Sequence, residues 1–424
     1  MNSALRSPVF ARVLLAGFVS DSGDWMLFVA LPLVIYRLTG SALGTSLAFL
    51  LELAPAVLLA PVAARLIVRF DRRVLLVVVS LVQAAAVAPL LVVRSADQVG
   101  VLYGVIVLQA SCSAIFEPAK DSWLPELVPP DRLVSANALV GLAQNVGRLV
   151  GGPLGGALLA FGRLDVVVAA DVASFVIAAA LLWSAPRDAR SGQEDAGASA
   201  PIRGRTGVLH ALRQAGLRTT FASIGLAAAA QGLFLVLFVL FVTDTLHGSD
   251  AEVGLLRGIQ AIGSIAAGAA LGLFSIATRP RRLAVIGAIA FGVLSLVVWN
   301  LPAATTEPWP YVVLFVLVGA PGLLLATGYI SVIQTTAHDR GSAFAAYGLV
   351  NAIGQGLGLV AAGVLQPASG LLPLLEIQGC LYLLAGIVMI GRRGRRTAGS
   401  PQLVGGSERN RPAPVENGAP PSTS

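Results

Sequence analysis

Apolar residues occur along the chain in twelve runs, separated by short polar connections. Most runs have about 18 to 25 residues, the length that a helix needs to cross the hydrocarbon core of a bilayer. The pattern therefore predicts twelve transmembrane helices. They lie near 10–36, 42–66, 74–94, 99–118, 135–160 and 165–184, and then near 219–243, 251–276, 283–301, 310–332, 341–365 and 371–391.

Polar segments divide these helices into two groups of six. The stretch APRDARSGQEDAGASAPIRGR, which follows the sixth run, is typical of a linker. The next stretch, TGVLHALRQAGLR, predicts a short amphipathic helix at the membrane surface. We therefore predict a first bundle over 1–184, a cytoplasmic linker over 185–218, a second bundle over 219–396 and a disordered tail over 397–424.

Composition supports a membrane protein. The chain has 424 residues, of which 56% are hydrophobic and 12% are charged, whereas soluble domains carry about 25% charged residues. The first apolar run is expected to be a retained helix and not a signal peptide. Cys112 and Cys380 stand alone in apolar surroundings, so neither a disulfide nor a metal site is expected, and no cofactor is predicted.

The basic residues cluster in alternate connections. The net charge is +7, and Lys120 is the single lysine among 29 basic residues. Clusters of arginine follow the second, sixth, eighth and twelfth runs, whereas the other connections hold Arg37, Arg94, Arg163 and Arg257. This asymmetry predicts a multi-pass protein of the cell membrane with both termini in the cytoplasm. The arginines are thus interpreted as topology anchors and not as a surface for nucleic acid.

Three motifs recur at nearly one spacing. LTGSALG at Leu38 returns as LHGSDAE at Leu246, Arg72–Arg73 as Arg281–Arg282, and Asp131–Arg132 as Asp339–Arg340, with shifts of 208, 209 and 208. Each pair lies at the same point between runs. The chain is therefore predicted to be a duplicated six-helix unit with parallel halves, as in transporters whose substrate path lies between two repeats.

Five motifs in order along the chain carry a family resemblance. They are SGDWM (Ser22–Met26), LTGSALG (Leu38–Gly44), RFDRR (Arg69–Arg73), FEPAKDSWLPELVPPDRLVSANAL (Phe116–Leu139) and GGPLGG (Gly151–Gly156). On these motifs residues 8–396 resemble the major facilitator superfamily. The resemblance is to its drug-efflux branch, which includes macrolide exporters and enterobactin-type siderophore exporters.

The resemblance implies an all-α fold of two pseudo-symmetric six-helix bundles. It implies gating roles for Arg69, Asp71, Arg72 and Arg73. It also implies that Gly152, Pro153, Gly155 and Gly156 pack at the contact between the halves and limit proton leak. The sequence departs from the family pattern in two places. Ala64 and Val68 occupy the positions of the glycine and the acid that the family has before Arg69. The arginine signature of the fourth helix in larger drug-antiporter groups is also missing, so the proton-coupling residues of those groups cannot be assigned to this sequence residue by residue.

Acidic residues inside the apolar runs are the candidates for proton coupling. A carboxylate at a helix centre costs about 2.5–3.5 kcal/mol on insertion scales. Asp21 and Asp24 lie three residues apart on the first helix, and Glu52 lies in the second. An alternative is that the two aspartates cap a break at Gly23 or pair silently with a neighbouring helix. Glu52 has the alternative of reaching water near the helix exit.

Arg148 is the one arginine predicted within a transmembrane helix. It is expected to meet a carboxylate or to line a wet cavity, and Asp21, Asp24 and Glu52 are the nearest candidates. A static ion pair and a role in substrate binding remain alternatives. The substrate-cavity candidates are Trp25, Asn145, Arg148, Gln231, Phe234, Tyr329, Asn351 and Gln355, each of which can instead be a packing residue. Asp244, Asp250 and Glu252 are expected in a solvated external connection.

Together these features predict a secondary active transporter that exports a hydrophobic or amphipathic small molecule, such as a drug or natural product. We expect alternating access, proton antiport and a monomer in the lipid bilayer. The sequence has no phosphate-binding glycine loop and no metal-binding pattern of His and Cys, so an enzyme is not expected. The alternatives are a lysophospholipid-type flippase and a sensor or scaffold on the transporter fold.

Overall fold

The computed structural model describes residues 7–93, 95–129, 132–184, 204–273 and 279–390, and these residues form helices joined by short turns. In the first half the helices are α1 (Pro8–Thr39), α2 (Ala42–Leu58), α3 (Ala60–Arg69), α4 (Arg72–Val87), α5 (Val99–Leu127), α6 (Leu133–Ala160) and α7 (Leu164–Ser184). The second half follows α8 (Gly204–Arg213) and comprises α9 (Arg218–Leu240), α10 (Asp250–Leu273), α11 (Pro280–Asn300), α12 (Pro308–Thr336), α13 (Arg340–Ser369) and α14 (Leu371–Ile390).

The predicted all-α architecture of two six-helix bundles is confirmed. By length and composition, 10 helices in the described residues can cross a membrane, and the bent pair α2–α3 is an eleventh candidate. α6 brings the first half to six, although its glycines, Gln144, Asn145 and Arg148 make it less apolar. The second predicted helix is bent by 51° between α2 and α3. Pro61 in the first turn of α3 accounts for the break, because proline cannot donate a backbone hydrogen bond.

α5 is longer than the sequence pattern predicts. The apolar run ends near residue 118, but the helix continues through Pro118 and Pro125 to Leu127. Membrane helices tolerate such prolines when neighbouring groups satisfy the freed backbone. The extra turns place Lys120 on a helix that packs against α1 and α4, rather than in a connection.

Equivalent contacts in the two halves support the duplication. The Nε atom of Arg73 donates to the carbonyl oxygen of Leu182 at 3.1 Å, at the end of the sixth span of the first half. The Nε atom of Arg281 donates to the carbonyl oxygen of Met389 at 2.7 Å, at the end of the corresponding helix. These contacts pair Arg73 with Arg281. The predicted shift of 209 at this motif is therefore corrected to 208, which is the shift of the other two.

The halves meet mainly through two helix pairs, α6 with α10 and α2 with α13. The contacts begin in the middle of α6 and α10 and continue to one end of the molecule. At that end lie the C-terminus of α1 and the N-terminus of α10, and we call it the closed end. There, the chain leaves α1 through Gly40, whose φ of 60° is accessible to glycine at little cost.

Parts of the predicted linker and tail lie outside the described residues, namely 185–203 and 391–424, so these predictions stay untested, as do the bundle boundaries. The predicted amphipathic helix corresponds to α8, which ends at Arg213 instead of 218. It packs against α13 of the second half, with Ala211 buried. Nearby, the Nε2 atom of Gln214 donates to the carbonyl oxygen of Thr336 at 2.8 Å.

Candidate functional site

A cavity with a volume of about 560 Å³ is lined by three helices of the first half. α1 contributes Asp24, Trp25, Leu27, Phe28, Leu31 and Pro32, α2 contributes Ala48, Glu52 and Ala56, and α5 contributes Ile106, Gln109, Ala110, Ser113, Ala114, Glu117 and Pro118. Most of this wall is aliphatic or aromatic, and three carboxyl groups interrupt it. Small-molecule sites commonly have this composition, in which an apolar surface carries a few placed polar groups.

Asp24 is fixed at the cavity wall by α5. The Nε2 atom of Gln109 donates to its Oδ1 atom at 3.2 Å. The neighbouring Trp25 ring meets Phe28 edge-on, with 4.8 Å between ring centroids. Glu52 faces Asp24 from α2 and is exposed to the cavity. The structure thus brings together three of the residues that the sequence singled out, namely Asp24, Trp25 and Glu52.

Asp21 lies elsewhere. Residues three apart lie on the same side of a helix, yet Asp21 is not among the residues that line the cavity with Asp24. It lines a narrow void of about 20 Å³ beside Lys120 and Asp121. The Nζ atom of Lys120 is 2.7 Å from the Oε1 atom of Glu117. A chain of charges consequently connects Asp21 through Lys120 to the cavity acid Glu117.

Arg148 contacts the second half and not a carboxylate, which corrects that one of its two expected settings; the other, a wet cavity, stays a prediction. Its Nη2 atom donates to the Oε1 atom of Gln260 at 2.7 Å, and its Nε atom to the carbonyl oxygen of Arg257 at 3.3 Å. The guanidinium also stacks on Trp25, 4.9 Å from the ring centroid. Arg148 therefore connects α6 to α10 and to the aromatic edge of the cavity.

Arg257 is a second arginine within the membrane, which the sequence analysis placed in a connection. The structure places it two turns into α10, with only 6% of its surface exposed. Its guanidinium lies 5.2, 5.0 and 5.8 Å from the ring centroids of Phe28, Phe234 and Phe238. Phe28 belongs to the first half and the other two to the second, so this cation occupies an aromatic cage across the interface. Its Nη1 atom has no hydrogen-bond partner among the described residues.

The remaining cavity candidates take part in contacts away from this wall. Asn145 donates to the carbonyl oxygen of Gly141 in its own helix at 2.8 Å. Gln231 accepts a hydrogen bond from the Tyr382 hydroxyl at 3.1 Å, and the Tyr329 and Ser223 hydroxyls are 2.7 Å apart. Asn351 and Gln355 are half-buried on α13. Substrate roles for these residues stay predictions, as does the role of Phe234 beneath Arg257.

The glycines of α6 pack against two different helices, α1 and α10. A Cβ atom at Gly151 would lie 2.2 Å from the carbonyl oxygen of Ser22 on α1, and one at Gly155 would lie 2.6 Å from that of Met26. The next positions face the other half. A Cβ atom at Gly156 would lie 2.3 Å from the carbonyl oxygen of Asp250, and Gly152 lies against Gly254 and Gly258. Pro153 contacts Gly258, so backbone meets backbone between α6 and α10.

Polar contacts join the halves at the closed end. The Tyr36 hydroxyl donates to the Oδ2 atom of Asp244 at 2.6 Å. Arg37 pairs with Asp250 at 2.6 Å, and Asp250 is 2% exposed. The expectation that Asp250 is solvated is therefore wrong, because the end of α1 covers it. Glu252 instead accepts the backbone N–H of Ser249 at 2.6 Å and stabilises the start of α10.

The motif at the start of α4 makes structural contacts. Asp71 accepts the backbone N–H of Val74 at 3.0 Å and caps α4, while Arg69 is exposed. Arg72 pairs with Glu126 of α5. Arg73 stacks on Trp183 at 5.4 Å and donates to carbonyl oxygens at the end of α7. These contacts hold α4, α5 and α7 together, and a gating role stays a prediction.

Asp171 on α7 is a further acid that the sequence analysis missed. It is fully buried, in the apolar run VVVAADVASF. The signal was available, since an acid within an apolar run is the pattern that drew attention to Asp21 and Asp24.

Comparison with known proteins gives consistent matches. The family model described as Major Facilitator Superfamily matches residues 13–230 and 220–417. The multidrug efflux pump Tap of Mycolicibacterium fortuitum is 26% identical, over 92% of this chain and 97% of its own. Macrolide efflux protein A of Streptococcus pyogenes is 28% identical over 36% of this chain and 38% of its own. The crystal structure of a bacterial homologue of the iron transporter ferroportin, in its inward-facing state, has a TM-score of 0.71 at 17% identity, covering 90% and 98% of the two chains.

Proposed function

Because the chain belongs to the major facilitator superfamily, we propose that it is a secondary active exporter of amphipathic small molecules. The observation that carries the proposal is the cavity of about 560 Å³, in which Asp24, Glu52 and Glu117 stand in an otherwise apolar and aromatic wall. Such a wall suits a cargo with a large hydrophobic body and a polar or cationic group. The similarity to the multidrug pump Tap supports a drug or natural product as this cargo.

Transport proceeds by alternating access. The contacts from Arg148–Gln260 to Arg37–Asp250 close the path at one end. The distribution of arginines predicts that this end faces the outside, so the cavity serves the cytoplasm in this conformation. Export then requires the halves to separate at the closed end while the other end closes. We propose that one chain is sufficient for the cycle, with both termini in the cytoplasm.

Proton antiport supplies the energy. Asp24 and Glu52 are the carboxyls that both line the cavity and lie at the depth of the bilayer, where ionisable groups are costly unless they serve function. A carboxyl that is ionised can hold a polar or cationic cargo group, and the same carboxyl when protonated releases it. Protons arriving from the outside therefore expel the cargo, and proton release to the cytoplasm prepares the site again.

The test is transport in proteoliposomes with an imposed pH gradient. Macrolides, other antibiotics, siderophores and a fluorescent lysophospholipid are presented to the wild-type protein, to Asp24→Asn and to Glu52→Gln. We expect gradient-driven transport of at least one amphipathic compound, and its loss in both variants. The control is Asp165→Asn, which alters an exposed acid paired with Arg163. Transport of the lipid alone favours a flippase, and transport of none of these compounds rejects the proposal.

A further inference from the structure

Asp171 is buried in the first half and forms no ion pair with any residue that the structure describes. The Ser174 hydroxyl lies 3.5 Å from its Oδ1 atom and donates to its backbone carbonyl oxygen at 2.8 Å. The Oδ2 atom is buried and has no hydrogen-bond partner among the described residues. An ionised carboxylate in such surroundings has neither water nor a counter-charge to stabilise it.

The carboxyl group of Asp171 lies against α1 at Gly23. A Cβ atom at Gly23 would lie 2.3 Å from both the Oδ1 atom of Asp171 and the Oγ atom of Ser174. The absence of a side chain at Gly23 is thus the reason that α7 can place a carboxyl against the backbone of α1. Asp24 directly follows Gly23, so the Asp171 carboxyl lies against the stretch of α1 backbone that carries Asp24.

The charged groups around this pair are mostly acids. α1 provides Asp21 and α5 provides Glu117, both of which act on Asp24 as like charges. Lys120 of α5 pairs with Glu117 and also acts on Asp21. On the other neighbours of α7, Arg73 of α4 binds carbonyl oxygens eleven residues farther along α7, about 16 Å away, and Arg148 of α6 points to α10. The described cations are therefore engaged elsewhere.

We infer that Asp24 and Asp171 form one two-carboxyl proton site, with Asp24 open to the cavity and Asp171 as its dry member. The inference rests on the proposed proton antiport. Two neighbouring carboxyls avoid ionising together and share a proton between them. When Asp24 gives a proton to cavity water, the pair keeps one proton and one negative charge. Uptake of a proton from water restores the neutral pair, so each cycle exchanges one proton while Asp171 stays shielded.

Gln109 is placed to orient the open member of this pair. Its Nε2 atom donates to Asp24, while its Oε1 atom is buried without a described partner. The amide thus holds one oxygen of Asp24 toward α5. The other oxygen is left for cavity water or for a cargo group. Gln109 is therefore a positioning residue of the proton site.

Infrared spectroscopy of the purified full-length protein in lipid tests the pair without a transported compound. The carbonyl stretch of protonated carboxyls is followed through a pH titration, and the spectrum of Asp24→Asn is subtracted. In the wild type we expect Asp24 to titrate in two coupled steps, and in Asp171→Asn in a single step. The matched control is Asp165→Asn on the same helix, which should leave both steps in place. An Asp24 signal that is the same with and without Asp171 overturns the inference.

A second comparison uses variants that keep Asp171. If Asp171→Asn does not fold, the wild type is compared with Asp24→Asn alone. The Asp24→Asn substitution should also change the titration of a second carboxyl. If it only removes one independent titration step, the inference of a coupled carboxyl pair is overturned.

Erythromycin transport separates this inference from the proposed function. In Asp171→Asn, accumulation driven by a pH gradient should fall at least tenfold while exchange of labelled for unlabelled erythromycin continues. If the wild type transports nothing but the coupled titration is present, the proposed function fails and the carboxyl pair stands.

Discussion

Tyr36 and Asp244 occupy equivalent positions in the two halves, 208 residues apart, and the hydroxyl of one donates to the carboxylate of the other at 2.6 Å. This contact lies where the two repeats face each other at the closed end. Arg37, the next residue, pairs with the buried Asp250. Since these bonds join the halves, they must break whenever the closed end opens.

Removal of the closed-end contacts should favour opening there. A hydrogen bond to a charged group contributes about 1.5–3 kcal/mol, and every 1.4 kcal/mol changes an equilibrium about tenfold. We expect Tyr36→Phe and Arg37→Gln to raise the share of molecules with a long distance across this end. Spin labels at Leu43 and His247, in a variant without native cysteines, measure that distance. Arg163→Gln, which removes a pair within the first half, should leave the distances unchanged, and equal distributions in all variants would contradict the assignment.

The glycine contact between α6 and α10 should not tolerate a single methyl group at Gly156. The Cβ atom would meet the carbonyl oxygen of Asp250 at 2.3 Å, and overpacking of this kind costs about 1–3 kcal/mol. We expect Gly156→Ala to lower the melting temperature and to reduce export. The control is Gly141→Ala in the same helix, where nothing lies within 4 Å. A stable and active Gly156→Ala variant would contradict the prediction that stability and export need close contact between α6 and α10 at this position.

Glu52 and Arg257 should be energetically coupled across the interface. They lie in different halves, and each carries a charge that acts on the other. We expect the effects of Glu52→Gln and Arg257→Met on export to be non-additive by at least about 0.5 kcal/mol in a double-mutant cycle. Arg257→Lys should also be impaired, because an ammonium group cannot replace the planar guanidinium among three rings. Additive effects of the two substitutions would instead indicate independent roles.

The equivalent arginines Arg73 and Arg281 should contribute similarly to stability. Each donates to carbonyl oxygens at the end of the last helix of its half, and an unsatisfied buried acceptor costs about 1–3 kcal/mol. Arg73→Met and Arg281→Met should each lower the melting temperature, by comparable amounts. Arg65→Met, at an exposed position of α3, should have little effect. A melting temperature that changes in one variant alone would argue against equivalent roles.

The sequence predicts the helices well because the hydrocarbon core imposes length and apolar composition. The repeat is also visible, since equivalent turns need similar residues. Partners across the interface are less predictable. Arg148 meets Gln260 and not an acid, because helix order alone does not determine which helices face each other. Arg257 is counted among the arginines of the connections, although the predicted helix 251–276 contains it and α10 begins at Asp250. Asp171, in contrast, is predictable from the sequence, because it is an acid within an apolar run.

If cavity acids exchange protons for cargo, a flow of cargo must drive protons across the membrane in the opposite direction. Proteoliposomes that contain a pH-sensitive dye, with no initial pH gradient, receive a gradient of a compound that the protein transports. Wild-type protein should move protons against the flow of the compound, and Asp24→Asn, which cannot ionise, should move none. Equal dye signals in the wild type and in Asp24→Asn would contradict the account.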